Sequence, residues 1–372
     1  MELTYEMFAD LVEKNDAFFV TEQEFDGVNF RIFNYRLASY SQFLEYGALE
    51  ARGVTFYQDR SDGEWLLASR PIEKFFNYKE NPFTMDVSFS DTKHAMLKED
   101  GSLISTVGYM NSNGWFRWTV KSKGSFHSEQ ALAARKYIQD HPDLEEEIEH
   151  AVDDGFTVNM EWCAPDNHIV VGYSEPKLIV LNVRDDREGF YWDHEEVKFR
   201  FRNHTVQLVN ISSFDEVYQW EGKEGVVVRF KDGHKISHMK IKSDWYLRRH
   251  QSKEKVNSPK ALVEVIVNQH VDDFKQLFLA DPITLAYIED VEYCVVKFYD
   301  WTLAVAEEYH DRNKHLSRKD YAVQGKTQLT SLQFSLIMFL YTGKDPEDHL
   351  KSWCVSNARE LIDHIKYKVS EE

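Results

Sequence analysis

A chain of 372 residues that is 42% hydrophobic and 14% aromatic carries enough apolar surface for two or three folded cores, which excludes a disordered protein. Its net charge of −19 excludes a nucleic-acid partner held by overall charge. The bases are unevenly placed, however: Arg229, Lys231, Lys235, Lys240, Lys242, Arg248, Arg249, Lys253 and Lys255 form a stripe opposed there only by Asp232, Asp244 and Glu254.

The spacing of Tyr5, Phe8, Leu11 and Val12 predicts a short amphipathic helix over 5–15. Residues 17–20 and the alternating 29–35 read as strands, and 51–57 with 65–69 as a strand pair around Arg60-Ser61-Asp62-Gly63. Met96-Leu97-Lys98-Glu99-Asp100-Gly101-Ser102-Leu103 reads as a short charged loop behind an apolar lead-in. Residues 103–107 and 115–123 form a hairpin across Met110-Asn111-Ser112-Asn113-Gly114. Helices follow at about 128–140 and 143–153, the second with an acidic, solvated face. Strands return at 157–162, 168–173, 177–183, 225–230 and 238–242, a pattern of mostly antiparallel α+β type.

After about Trp245 the pattern turns helical, over 261–280, 283–311, 329–341 and 347–368. Ser258-Pro259 and Asp281-Pro282 each offer an N-cap followed by a first-turn proline, and Thr342-Gly343-Lys344-Asp345-Pro346 ends one helix and starts the next. A boundary near 245–257 therefore separates a mixed domain, 1–246, from an all-α domain, 247–372. The first residues lack the basic and apolar regions of a secretory signal, and no apolar run is long enough to span a bilayer. Cys163, Cys294 and Cys354 are scattered without metal spacing. A cytoplasmic protein with reduced thiols and no membrane partner is expected, in the host cytoplasm if the chain is viral.

Several charged positions fall inside strand patterns. Glu161 stands between Met160 and Trp162, Glu224 opens a valine-rich strand, and Lys240 and Lys242 share one face of another. Arg52 and Lys74 add cations. Each has an ordinary reading alone: Lys-Glu-Asp-Gly as a surface turn, a strand-end glutamate as solvated, Lys-x-Lys as an exposed edge.

In order, these stretches are similar to the motifs of the covalent nucleotidyltransferases, the ligases and RNA capping enzymes. Lys98-Glu99-Asp100-Gly101 resembles motif I, Met160-Glu161-Trp162 motif III, the segment 177–184 motif IIIa, Glu224-Gly225-Val226-Val227 motif IV and Met239-Lys240-Ile241-Lys242 motif V. The finer resemblance is to the bacteriophage RNA ligase 1 family. It rests on Ser69-Arg70-Pro71-Ile72-Glu73-Lys74-Phe75-Phe76-Asn77, Lys121-Ser122-Lys123-Gly124-Ser125 and Lys240-Ile241-Lys242-Ser243-Asp244-Trp245-Tyr246, and continues through Val271-Asp272-Asp273 and Asn313-Lys314-His315.

The resemblance implies an ATP-grasp-like nucleotidyltransferase (adenylation) domain followed by a helical domain that sets RNA specificity. It implies ATP and Mg²⁺, or Mn²⁺, as cofactors, with Lys98 attacking the α-phosphorus to give a lysine–AMP intermediate. A free lysine, pKa ~10.4, is protonated at neutral pH, so the attack needs positive neighbours that favour the neutral amine. By the same resemblance Lys240 and Lys242 contact the α-phosphate, Arg52 and Lys74 the phosphates or ribose side, and Tyr35 the nucleotide pocket. Glu161 and Glu224 bind ribose or water-bridged metal. Lys121, Lys123 and the basic stripe meet the RNA backbone, and Tyr246 with Trp245 stacks a base or serves the core. Asp272 and Asp273 match the family's metal-associated acids and equally suit an acidic helix face. The implied substrate is single-stranded or broken-loop RNA, in the family a tRNA anticodon loop, with a polynucleotide kinase/phosphatase preparing the ends. A capping guanylyltransferase or DNA ligase would carry an OB-fold barrel after the catalytic domain, against the helical pattern here. A non-catalytic RNA-binding protein would not need Lys98, Lys240 and Lys242 together.

Overall fold

The computed structural model describes residues 2–165, 167, 171–232, 235–250, 256, 258–279 and 282–369. The chain divides into two compact units, Met1–His250 and Gln251–Glu372. The first opens with α1 (Tyr5–Lys14), where the Thr4 hydroxyl accepts from the Met7 amide and so caps a helix that buries Phe8 and Leu11. β1 (Phe18–Phe25), β2 (Val28–Tyr35), β3 (Val54–Gln58) and β4 (Trp65–Ser69) then form an antiparallel sheet in chain order. Strand alternation splits its side chains: Phe33 and Phe56 pack with Phe8, while Phe30, Ile32 and Tyr57 pack on the opposite face against Val107, Tyr109 and Phe126.

A second antiparallel sheet has the order β10 (Lys177–Asp185), β9 (Phe156–Cys163), β7 (Ser102–Met110), β8 (Phe116–Ser122). Val158, Met160 and Trp162 point to its core face, covered by α2 (Glu129–Gln139), α3 (Pro142–Asp153) and α4 (His194–Phe201). The alternate residues Asn159 and Glu161 therefore face the other way. The third sheet runs β11 (Leu208–Val209), β6 (Thr92–Lys98), β12 (Gly225–Asp232), β13 (Lys235–Lys242), β5 (Phe76–Asn77), antiparallel except for the last pair. Val226, Val228 and Ile241 pack it against α5 (Phe214–Tyr218), and α6 (Asp244–His250) closes the unit.

The second unit is helical: α7 (Pro259–Val267), α8 (Val271–Lys275), α9 (Pro282–Asn313), α10 (Arg318–Gln328), α11 (Ser331–Tyr341), α12 (Glu347–Ser356) and α13 (Ala358–Val369). Leu262, Ile266, Ile288, Val295, Leu336, Ile337 and Leu350 are buried within it. The class read from the sequence, antiparallel sheets with helices followed by a helical region, is the one observed. Among the described residues no helix is long and apolar enough to cross a membrane.

Several boundaries differ from the sequence reading. The lead-in to Lys98 is a strand, β6, central to its sheet. Helices α4, α5 and α10 had not been expected. The helix expected over 261–280 breaks after Val267, where Gln269 takes a left-handed conformation (φ 61°), and Ala280 and Asp281 lie outside the described residues. The last helix is two. Of the strand expected over 168–173, His168, Ile169 and Val170 lie outside the described residues, and Val171–Tyr173 are not in a strand.

Candidate active site

Lys98 is the last residue of β6 and lies opposite Gly225, which in turn lies opposite Lys242. Glu224, one residue before β12, is thereby placed between two lysines: Lys98 Nζ lies 2.9 Å from Glu224 Oε2 and Lys242 Nζ 3.0 Å from Oε1. The carboxylate is 2% exposed, so the ordinary expectation of a solvated strand-end glutamate fails. Such a buried pair holds only when paired and geometrically good. The following residue must be glycine: Gly225 has φ 148°, and a Cβ there would overlap the Ile241 carbonyl oxygen.

The three residues after Lys98 cross from the third sheet to the second. Asp100 is 1% exposed; its Oδ1 accepts from the Tyr246 hydroxyl (3.0 Å) and its Oδ2 from the Val171 amide (2.8 Å). The Asp100 amide donates to Tyr173 Oη, which donates to Glu99 Oε2, each at 2.9 Å. The Gly101 amide donates to Glu161 Oε1 (3.2 Å), and a Cβ on Gly101 would overlap the Trp162 carbonyl. Burial pushes the Glu99 carboxyl up. Burial also pushes Glu161 up to about 7, against the pull of Lys98. These acids sit where added positive charge would keep them ionised.

A cavity of about 470 Å³ opens between the second and third sheets. Its charged lining is Arg52, Lys98, Glu99, Lys123 and Glu161; its apolar lining includes Ile72, Phe75, Met96, Leu181, Val206 and Val227. Met96 and Val227 face each other two cross-strand rows below Lys98 and Gly225, and so on the same face. Arg52 donates to the Ile72 carbonyl at 3.2 Å. Lys123 Nζ lies 4.5 Å and Lys74 Nζ 5.4 Å from the Tyr35 ring centre. Burial alone would raise the Tyr35 hydroxyl, but Lys74, Lys123, Arg52 and Lys240 outweigh it and bring it down to about 7. Four cations converging on one hydroxyl mark a strong local positive potential in an acidic protein.

Behind the cavity a buried ion network fixes the segments that carry Arg52 and Lys74. Glu50 Oε1 accepts from Arg70 Nη2 (2.8 Å) and Arg184 Nη2 (2.8 Å), and its Oε2 from Arg184 Nη1 (2.7 Å). Arg184 also pairs with Glu73 and donates to the Pro71 carbonyl at 2.6 Å. The Lys74 amide donates to the Leu49 carbonyl (2.8 Å), locking the two segments together. Burial opposes ionisation of Glu50, but Arg184 and Arg70 hold its carboxyl below the usual range.

Of the residues singled out from sequence, Lys98, Glu161, Arg52 and Lys123 line one cavity, Glu224 beside it is bound to both Lys98 and Lys242, and Tyr35, Lys74 and half-buried Lys240 form the cationic cluster. Two do not fit their expected roles. Lys121 is fully buried, its amine lowered to about 7 by burial and by Lys123, so in this structure it is not placed to meet an RNA backbone as the resemblance implied. Tyr246 is 2% exposed and spends its hydroxyl on Asp100, so the base-stacking role gives way to the structural one. In the basic stripe, Arg229 is buried and donates to the Trp192 and Tyr191 carbonyls. Lys253 and Lys255 lie outside the described residues. Asp272 and Asp273 sit in the first turn of α8, where acids offset the helix's partial positive charge. Among the described residues no group of three or more His, Cys, Asp or Glu side chains could hold a metal ion. Sequence reasoning missed Glu50, Asn159, Tyr173 and Asn182; the signal for Asn182 was a lone amide inside an apolar strand.

Comparison with known proteins gives consistent matches. Residues 50–253 match the family model described as RNA ligase, and residues 253–362 that of the T4 RNA ligase 1 C-terminal domain. The chain is 26% identical over 265 residues to a putative bifunctional polynucleotide kinase/RNA ligase of Autographa californica nuclear polyhedrosis virus, covering 62% of this chain and 35% of that one. It is 25% identical over 284 residues to a putative RNA ligase of Thermovibrio ammonificans, covering 73% of this chain and 71% of that one. The match thus spans about a third of the viral relative's length. An archaeal ATP-dependent RNA ligase structure aligns with a TM-score of 0.49 at 14% identity, covering 80% of this chain and 79% of that one.

Proposed function

The chain belongs to the T4 RNA ligase 1 family, and from that premise we propose that it is an ATP-dependent RNA ligase joining 5′-phosphate and 3′-hydroxyl ends through lysine–AMP and RNA–adenylate intermediates. The observation that carries this reading is Lys98 on the cavity wall, its Nζ 2.9 Å from Glu224 and the cavity's other cations drawn toward Tyr35.

In the first step Nζ of Lys98 attacks the α-phosphorus of ATP, an N–P bond forms, and the bond from α-phosphorus to the bridging oxygen breaks to release pyrophosphate. Two protons leave Nζ, one to free its lone pair and one from the adduct; Glu224 Oε2 is the acceptor already in place. Lys242 and Lys240 are positioned to offset charge on the phosphoryl oxygens, the main contribution a protein makes to phosphoryl transfer. In the second step an oxygen of an RNA 5′-phosphate displaces Nζ from the AMP phosphorus. In the third, a 3′-hydroxyl attacks the 5′-phosphorus and AMP leaves. Mg²⁺ or Mn²⁺ would supply further positive charge along the phosphates. The oxygen donors Glu99 and Glu161, whose carboxyls burial pushes up, fit such an ion, with water and phosphate completing its shell. A metal role for Asp272 and Asp273 rests on the resemblance alone.

The adenylation domain corresponds in this reading to the first unit, and the helical unit biases the enzyme toward a structured RNA such as a broken tRNA anticodon loop. The kinase/ligase named among the relatives supports an end-preparing kinase/phosphatase as partner. The test is incubation with a divalent cation and α-labelled ATP, then with 5′-phosphorylated single-stranded RNA. Label on the protein that is absent in Lys98→Ala, and RNA circles or joined strands thereafter, are expected. Absence of label with every nucleotide would refute the reading, and label from GTP alone would favour a capping enzyme.

A further inference from the structure

We propose that Asn182 selects adenine over guanine in the cavity, through a side-chain amide whose orientation is locked from behind. This rests on the ligase reading and adds a specificity determinant to it. Ser105, Asn159 and Asn182 lie directly opposite one another on β7, β9 and β10. They form one cross-strand row, two residues (roughly 7 Å along the strand) from the row carrying Glu161. A β-bulge between Val180 and Asn182 makes this possible. Without this bulge, with Leu181 paired regularly in the ladder, the alternation that turns Val180 toward the helix-covered core would turn Asn182 there too. With it, both Leu181 and Asn182 line the cavity, beside its apolar part.

An asparagine amide can ordinarily turn over and exchange donor for acceptor. Here it cannot. The Ile72 backbone amide, which can only donate, binds Asn159 Oδ1 at 3.3 Å, and the Ser105 hydroxyl donates to the same oxygen at 2.8 Å. That fixes Asn159 Nδ2 as the end facing Asn182, where it donates to Asn182 Oδ1 at 3.0 Å. Asn182 Nδ2 is left as the cavity-side end; it has no hydrogen bond within the protein among the described residues, and the side chain is only 5% exposed. A nearly buried donor without a protein partner, beside an apolar slot, is a site for one ligand acceptor.

A fixed donor distinguishes the purines at N1, where adenine presents a lone pair and guanine an N–H. The locked amide cannot turn to accept that N–H, so guanine meets it donor to donor. Hydrogen-bonding sites reject the mismatched analogue because the protein group is left unpaired.

The test compares protein labelling from α-labelled ATP, GTP and purine riboside triphosphate, which keeps the N1 acceptor but lacks the 6-amino group. Wild type is expected to prefer ATP and to use purine riboside triphosphate much better than GTP. Asn182→Ala should raise KM for ATP and reduce the ATP-to-GTP ratio of kcat/KM roughly tenfold, the size of one good hydrogen bond. Asn182→Asp, which still accepts from Asn159 but offers only acceptors, should move the ratio toward GTP by raising GTP use itself, a gain that misfolding cannot produce. An unchanged ratio in both variants overturns the assignment while leaving the ligase reading intact. No label on the wild type with any nucleotide overturns both.

Discussion

Replacing Glu50 by glutamine tests whether the network behind the cavity is structural or merely decorative. The side chains of Glu50, Arg70 and Arg184 are 8%, 2% and 3% exposed, so the substitution removes a charge that faces two guanidinium groups with almost no access to water. Breaking a buried pair from one side costs about 3–5 kcal/mol. The lower end applies here, because Arg184 keeps Glu73 and the Pro71 carbonyl and Arg70 keeps the Arg187 carbonyl (2.8 Å). A loss of about 3 kcal/mol in a unit of this size lowers Tm by roughly 6–12 °C. Urea and thermal melts, with the two units allowed separate transitions, measure it. The sign with pH is also set: Glu50 titrates lower folded than unfolded, so its contribution is present above the unfolded carboxyl range and is lost as pH falls through the folded value. The wild-type advantage over Glu50→Gln should therefore shrink on acidification below about pH 4.3. A difference under about 1 kcal/mol at pH 7, or one that grows in acid, would refute the reasoning.

Lys121→Met should behave in the opposite sense. Lys121 titrates near 7 when folded, below its unfolded value, so its burial penalty is full below pH 7 and is relieved as pH rises toward about 10.4. The variant should lose that rise in stability, and parallel slopes in pH-dependent melts would contradict it. Tyr246→Phe should cost about 1–3 kcal/mol, because a nearly inaccessible carboxylate oxygen of Asp100 loses its donor. Its adenylation rate should fall while Trp245→Phe, beside it, has less effect. Gly101→Ala should abolish labelling even where the protein stays folded by circular dichroism, since a methyl group there displaces the Trp162 backbone and with it Glu161.

The parts of the site legible in the sequence were those where charge interrupts a strand pattern. Glu161 announced itself as a charge among the apolar residues of a strand, and Glu224 as a carboxylate at the mouth of a valine-rich one. The resemblance put Lys121 at the RNA backbone and left Tyr246 between base and core, and burial decided against the first and for the core: a motif names a residue but not what covers it, and both faces of β8 are covered near Lys121. β6 was overlooked because its apolar residues are the contiguous Ala95, Met96 and Leu97 rather than an alternating set. Nothing in the sequence singled out Glu50, and Arg70 stood only within a longer stretch; their burial depends on Arg184, more than a hundred residues away, which no local pattern reports. Asn182 stood out only as a lone amide in an apolar strand; the bulge that turns it into the cavity shifts register without any mark of its own.

Lys98 ends a strand of one sheet and Ser102 begins a strand of another, with only Glu99, Asp100 and Gly101 between them. The Lys98 amine is thus mounted at a joint between two plates, and the joint is pinned by Asp100. Only three residues join the two plates, so a change in their spacing falls directly on Glu99, Asp100 and Gly101, with no longer loop to absorb it. A base wedged between the sheets, as proposed above, would act on that joint like a shim in a vice. Occupancy of the slot and placement of the Lys98 amine would then be one mechanical event.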